Sequence, residues 1–113
     1  MGTVTPLPIQ RPALQVGFDR IELTRILDLY GRMVAAGHWR DYAMDFEREV
    51  ASFSAFRRAA ERPEIRIEKR PALRSKQGMW ALINESGATL KRGHDLPGVL
   101  APLERRLMKL VEG

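Results

Sequence analysis

The sequence predicts an α+β domain: one helix, five strands in an antiparallel meander, and a closing helix, with both helices on one face of the sheet. Three observations predict it. Apolar residues recur at helical spacing after Asp19, alternate with a period of two from Trp39 to Arg92, and return to helical spacing beyond Asp95. Two apolar helical stripes need a surface to cover. One face of an antiparallel sheet supplies it and leaves the other face polar.

The first 16 residues stand apart. They contain Pro6, Pro8 and Pro12 and no sustained period. Proline removes a backbone donor and restricts the residue before it, so the segment reads as a flexible proline-rich arm. Leu14 and Val16 are its candidates for packing onto the domain or adding a short strand. Residues 17–113 then form a single domain.

The first helix runs from residue 20 to 36. Asp19 and Glu22 have the spacing of a capping box, in which each side chain satisfies a free backbone donor. Leu23, Ile26, Leu27, Tyr30, Met33 and Val34 make the apolar stripe, and Arg20, Arg25, Asp28 and Arg32 make the solvated face. Gly37 stops the helix because it tolerates the left-handed conformation.

Alternation places the strands at Tyr42–Glu47, Ala51–Arg58, Glu64–Arg70, Met79–Asn84 and Ala88–Arg92. In the third, Ile65 and Ile67 point one way while Glu64, Arg66, Glu68 and Arg70 point the other, as a charged ladder that pairs across the sheet. Glu85-Ser86-Gly87 has turn chemistry, and short connections throughout imply the meander. In the last helix Leu100, Leu103, Leu107, Leu110 and Val111 line one side. Asp95 caps its start and Pro97 sits in the first turn, where a missing donor is tolerated. Pro102 implies a bend within one helix, or a regular part that starts only near Ala101.

At 113 residues, 44% apolar and 29% charged, the composition is that of one ordinary soluble domain. The absence of cysteine excludes disulfides, thiolate metal sites and thiol nucleophiles. No apolar run approaches a membrane span and no secretory leader is visible, so a cytoplasmic protein without a membrane role is expected.

Charge carries the functional signal. Between Arg57 and Lys76 eight basic residues face three acidic ones, a surplus equal to the +5 of the whole chain. A pI near 10.2 favours an anionic partner, either nucleic acid or an acidic protein. If the ladder is a pairing device, binding falls to the flanks: Arg57, Arg58 and Arg62 before it, and Arg74 and Lys76 after it. Lys91 and Arg92 join them if the fifth strand returns to that edge. Arginine suits the role because its planar fork grips a phosphate with two hydrogen bonds. Phe53, Phe56 and Trp80 are the aromatics on which bases could stack, with core packing as the competing role.

Other chemistry is sparse. Asp45, Glu47 and Glu49 recur at strand spacing, where a cation site or an acid–base pair competes with simple edge charge. His38 lies at a helix end and His94 at a strand-to-helix junction, and two isolated histidines do not make a zinc site. No serine sits in a nucleophile motif. No enzyme, cofactor or metal centre is expected.

Three blocks carry a resemblance: YGRMVAAGHWRDYAMDF (30–46), FSAFRRAAERPEIRIEKRP (53–71) and LKRGHDL (90–96). With them, residues 17–112 resemble an uncharacterised family of small alphaproteobacterial proteins, a domain of unknown function. The resemblance implies one compact bacterial domain and carries no catalytic residues. The resulting expectation is a non-enzymatic binding module that engages nucleic acid or another polyanion through the seven basic residues named above. The alternative is a protein-interaction or homo-oligomeric module, for instance a homodimer, joined through a sheet edge or the helix stripes.

Overall fold

The computed structural model describes residues 15–58 and 62–112, so the proline-rich arm, apart from its last two residues, lies outside the described residues. Helix α1 (Arg20–Ala35) is followed by strands β1 (Asp41–Phe46), β2 (Ala51–Phe56), β3 (Ile65–Lys69), β4 (Trp80–Asn84) and β5 (Thr89–Gly93), and then by helix α2 (Leu96–Glu112). The strands form one antiparallel sheet in the order β1-β2-β3-β4-β5, the expected meander.

Local chemistry explains where the elements begin and end. The Asp19 side chain accepts from the Glu22 N–H at 2.8 Å, and Glu22 Oε1 accepts from the Asp19 N–H at 2.9 Å, which completes the capping box. Gly37, at φ +78°, turns the chain out of α1. The Asn84 side chain holds the β4–β5 turn by accepting from the N–H groups of Ser86 and Ala88, and Gly87 supplies the positive φ. Asp95 Oδ1 caps α2 by accepting from the Gly98 N–H at 2.7 Å. One helix continues through Pro102, whose missing donor leaves the Gly98 carbonyl without its usual partner.

The core lies between the two helices and one sheet face. Phe53, Ala55, Ile65, Ile67, Trp80 and Leu82 share strand parity and pack with Ile26, Leu29 and Met33 of α1 and with Leu96, Val99, Leu100, Leu103 and Leu107 of α2. Both helices therefore cover the same face. Two details differ from the stripes expected. In α1 the buried line includes Leu29, while Val34 is 40% exposed. In α2, Leu110 and Val111 lie exposed in the last turn, beyond Leu107, the last buried residue of the helix.

The opposite face is not simply polar. Ser54, Ala81 and Ile83 are buried there. Arg66 lies directly across from both Ser54 and Ile83, and Arg92 lies across from Ala81. Long arginine stems over short neighbours give a face with an apolar floor and charged tips.

Candidate functional site

Antiparallel topology puts the β2–β3 and β3–β4 connections at opposite ends of β3. Five strand residues separate them, about 17 Å at the usual rise. The seven basic residues therefore do not share one surface. Arg57, Arg58 and Arg62 lie at the β2–β3 end, while Arg74 and Lys76 lie at the other. β5 runs so that Arg92 faces Ala81 and joins the β3–β4 end, and Lys91 faces Leu82 on the helix side.

The two ends use their charges differently. At the β3–β4 end the connection folds back on itself. Arg92 Nη1 donates to the Gly78 carbonyl at 3.3 Å, and Arg74 Nη2 approaches Met79 Sδ at 3.8 Å. Gly78, at φ +103°, sits so close to β5 that a Cβ there would meet the Gly93 carbonyl oxygen at 2.4 Å. These arginines help close a loop.

The β2–β3 end is concave. Arg57, Arg58 and Arg62, with Glu64 and Glu85, line an open cleft of about 230 Å³. Arg57 and Arg58 also line the adjoining depression of about 360 Å³, together with Gly37, His38 and Arg40. Arg40, Arg57, Arg58 and Arg62 are all exposed. Apart from the distant contact of Arg57 with Glu64, at 4.0 Å, no described carboxylate pairs with these four.

Glu64 forms the back wall, and here the structure corrects the charged ladder. Its side chain is only 13% exposed. It turns from the strand face toward the helices, where Glu64 Oε1 accepts from Trp39 Nε1–H at 2.6 Å and Oε2 accepts from Arg106. His38 Nε2 lies 3.3 Å from the same Oε2 and also contacts Arg106. Burial pushes the Glu64 pKa up, but the Trp39 hydrogen bond, the Arg106 guanidinium and His38 outweigh it. The net result is a carboxyl held below its ordinary 4.5. Arg106 and Glu64 thus tie α2 to the start of β3, and among the described residues the arginines outside keep no closer carboxylate partner than the 4.0 Å contact of Arg57 with Glu64.

The rest of the ladder pairs along the strand, not across it. Glu68 binds Arg66 at 3.5 Å and Arg70 at 3.3 Å. Lys69 is on the helix face, where it donates to Glu22 Oε1 at 2.7 Å and to the Gly17 carbonyl at 2.8 Å. Its ammonium also lies 5.8 Å from the centre of the Trp80 ring. These charges are consumed by the fold.

The aromatic candidates also divide. Phe53 and Trp80 are fully buried, and Trp80 stacks on Phe18, so neither offers a stacking platform. Phe56 is half-buried on the other face, across from Asp41. Asp45, Glu47 and Glu49 are exposed at the β1 edge and its turn, and His94 is exposed ahead of α2. Among the described residues no group of acidic, histidine or cysteine side chains is placed to hold a metal.

The family model described as "Protein of unknown function (DUF2794)" matches residues 16–100. The chain belongs to that family. The match spans α1 and the whole sheet, including every residue of the arginine concavity, and ends within α2. No curated protein and no solved structure matches the chain. Among the described residues of this DUF2794 member, no helix is long and apolar enough to cross a membrane.

Sequence reasoning missed Arg40 and Arg106, which complete the concavity and its back wall. Arg106 lies 42 residues from Glu64 and 68 from His38. The only local signal of Arg106 is its position between Leu103 and Leu107, off the apolar line of α2.

Proposed function

We propose that the domain is a non-enzymatic cytoplasmic binding module that engages nucleic acid or another polyanion at the β2–β3 end. One observation carries this reading: Arg57 and Arg58 line two adjoining depressions, with Arg62 in one and Arg40 in the other. Exposed guanidinium forks around a concavity suit phosphate oxygens, and affinity then comes from charge neutralisation and counterion release. With Phe53 and Trp80 in the core, two of the three aromatic platforms for base stacking are gone, and contacts are mainly to the phosphate backbone.

The test is binding of labelled single- and double-stranded DNA and RNA across a salt series. Affinity falls steeply with salt, and the triple substitution Arg57→Glu, Arg58→Glu, Arg62→Glu weakens it at every salt concentration. Binding that ignores salt, or survives the triple substitution, removes this reading.

A further inference from the structure

The strand β1 has an unpaired side. Among the described residues it pairs only with β2. Alternation in an antiparallel pair sends the backbone groups of every second residue away from the partner. The hairpin closes with the Glu47 N–H donating to the Val50 carbonyl, so Asp41, Ala43 and Asp45 are the residues that bond β2. Tyr42, Met44 and Phe46 point their N–H and C=O groups outward; just past the strand the Glu47 carbonyl accepts from the Val16 N–H at 2.8 Å, so the open edge ends at Phe46. The Tyr42 N–H is already turned to the Asp41 carboxylate, at 2.8 Å.

Two further features surround this edge. On the helix side Tyr42 and Phe46 are 41% and 42% exposed. Their rings are held in place, Tyr42 against Phe53 at 5.2 Å and Phe46 edge-on to Phe18 at 5.9 Å, so little freedom remains to be lost on contact. On the other face stand Asp41 and Asp45, both exposed; the turn beyond adds exposed Glu47 and Glu49 with Arg48 between them, and Arg40 precedes the strand. The other sheet edge differs: the β4–β5 register shifts between Leu82 and Ile83, and such a bulge disrupts an edge. The β1 register runs unbroken from Asp41 to Phe46.

We infer that β1 is a docking edge for an extended basic polypeptide segment, added as a sixth strand. Backbone pairing to Met44 and Phe46 supplies the register. Apolar side chains of the incoming strand meet the Tyr42 and Phe46 rings, and Lys or Arg at positions four apart meet Asp41 and Asp45 across the strand. The same acids disfavour a second copy of this chain, because antiparallel pairing centred on Met44 sets Asp41 against Glu47.

The probe is a blocked peptide of alternating Val and Lys, added to the full isotope-labelled chain and followed by amide shifts and hydrogen exchange. It saturates, and exchange at the Met44 and Phe46 amides slows by about tenfold or more. A Val–Glu peptide leaves those two amides unchanged. Replacing Asp41→Lys and Asp45→Lys, both exposed, reverses the preference between the peptides. The proposal is overturned by any of four results: no saturable change, equal response to both peptides, Met44 and Phe46 amides already protected in the free chain, or a dimer by light scattering.

Discussion

The two connections that flank β3 carry similar charge and do different work. At the β3–β4 end Arg92 reaches over from β5 to the loop and Arg74 contacts Met79 within it, with Gly78 wedged against Gly93 and Lys76 left exposed. At the β2–β3 end Arg57, Arg58 and Arg62 surround a cleft, and Glu64, the partly buried carboxylate behind them, is already claimed by Arg106 and Trp39. Charge density along a sequence therefore locates basic residues without saying which of them the fold has left free. The difference is made by partners, and it can be broken experimentally.

The largest expected effect is structural and belongs to the β3–β4 end. Gly78→Ala adds a Cβ 2.4 Å from the Gly93 carbonyl oxygen at a φ of +103°. Neither backbone can yield cheaply, so a loss of roughly 2–4 kcal/mol is expected in urea unfolding. Gly87→Ala is the comparator, because its φ is also positive, at +92°, but its Cβ would enter open space. It should cost only about 1–2 kcal/mol. Equal losses at the two glycines would mean that the close approach to β5 contributes nothing.

Next comes the charge at the β2–β3 end. Replacing Arg57, Arg58 and Arg62 together with Glu should weaken single-strand binding by roughly 10–100-fold at moderate salt. The slope of log affinity against log salt should fall by about 0.7 for each phosphate that the variant no longer neutralises. A drop in affinity with an unchanged slope would place the bound phosphates elsewhere.

Glu64 tests the wall behind those arginines. Its folded pKa is lowered, so its stabilisation is complete above the unfolded value near 4.5 and is lost as pH falls through the folded one. Glu64→Gln keeps an acceptor for Trp39 but removes the charge that Arg106 needs, at a cost of about 1–3 kcal/mol near neutral pH. The gap between wild type and variant in denaturant unfolding should narrow below pH 4.5. A gap that stays constant with pH would show that the carboxylate's charge is not what stabilises the wall.

This residue also marks the limit of what was legible in the sequence. The helices, strands and turns were readable because each rests on neighbours a few residues away: the Asp19–Glu22 box, the alternation of Ile65 and Ile67, the Gly37 stop. Glu64 looked like the first rung of an exposed ladder, since its sign and spacing match Glu68. At the start of the strand, however, its side chain reaches around to Trp39 and Arg106, 25 and 42 residues away. The division of the basic cluster was hidden for a related reason. Flanks that adjoin one strand in sequence lie a full strand length apart in space. Leu29 and Val34 show the same limit in α1, where the pattern placed the apolar face but the packing of α2 and the sheet decided its centre.

The smallest expected effect is the control at the far end. Arg74→Glu with Lys76→Glu reverses charge in the same way as the triple variant but lies about 17 Å from the cleft by the length of β3. At physiological salt the Debye length is about 8 Å, so two reversed charges at that range should change affinity by no more than about twofold. At low salt the screening length grows to about 30 Å, and a loss of several-fold should emerge. Direct contact and long-range field then separate cleanly: the β2–β3 variant stays weak as salt rises, whereas the β3–β4 variant recovers. A β3–β4 variant that stayed weak at physiological salt would mean that the anion spans both ends of β3, and the two regions would then be one site.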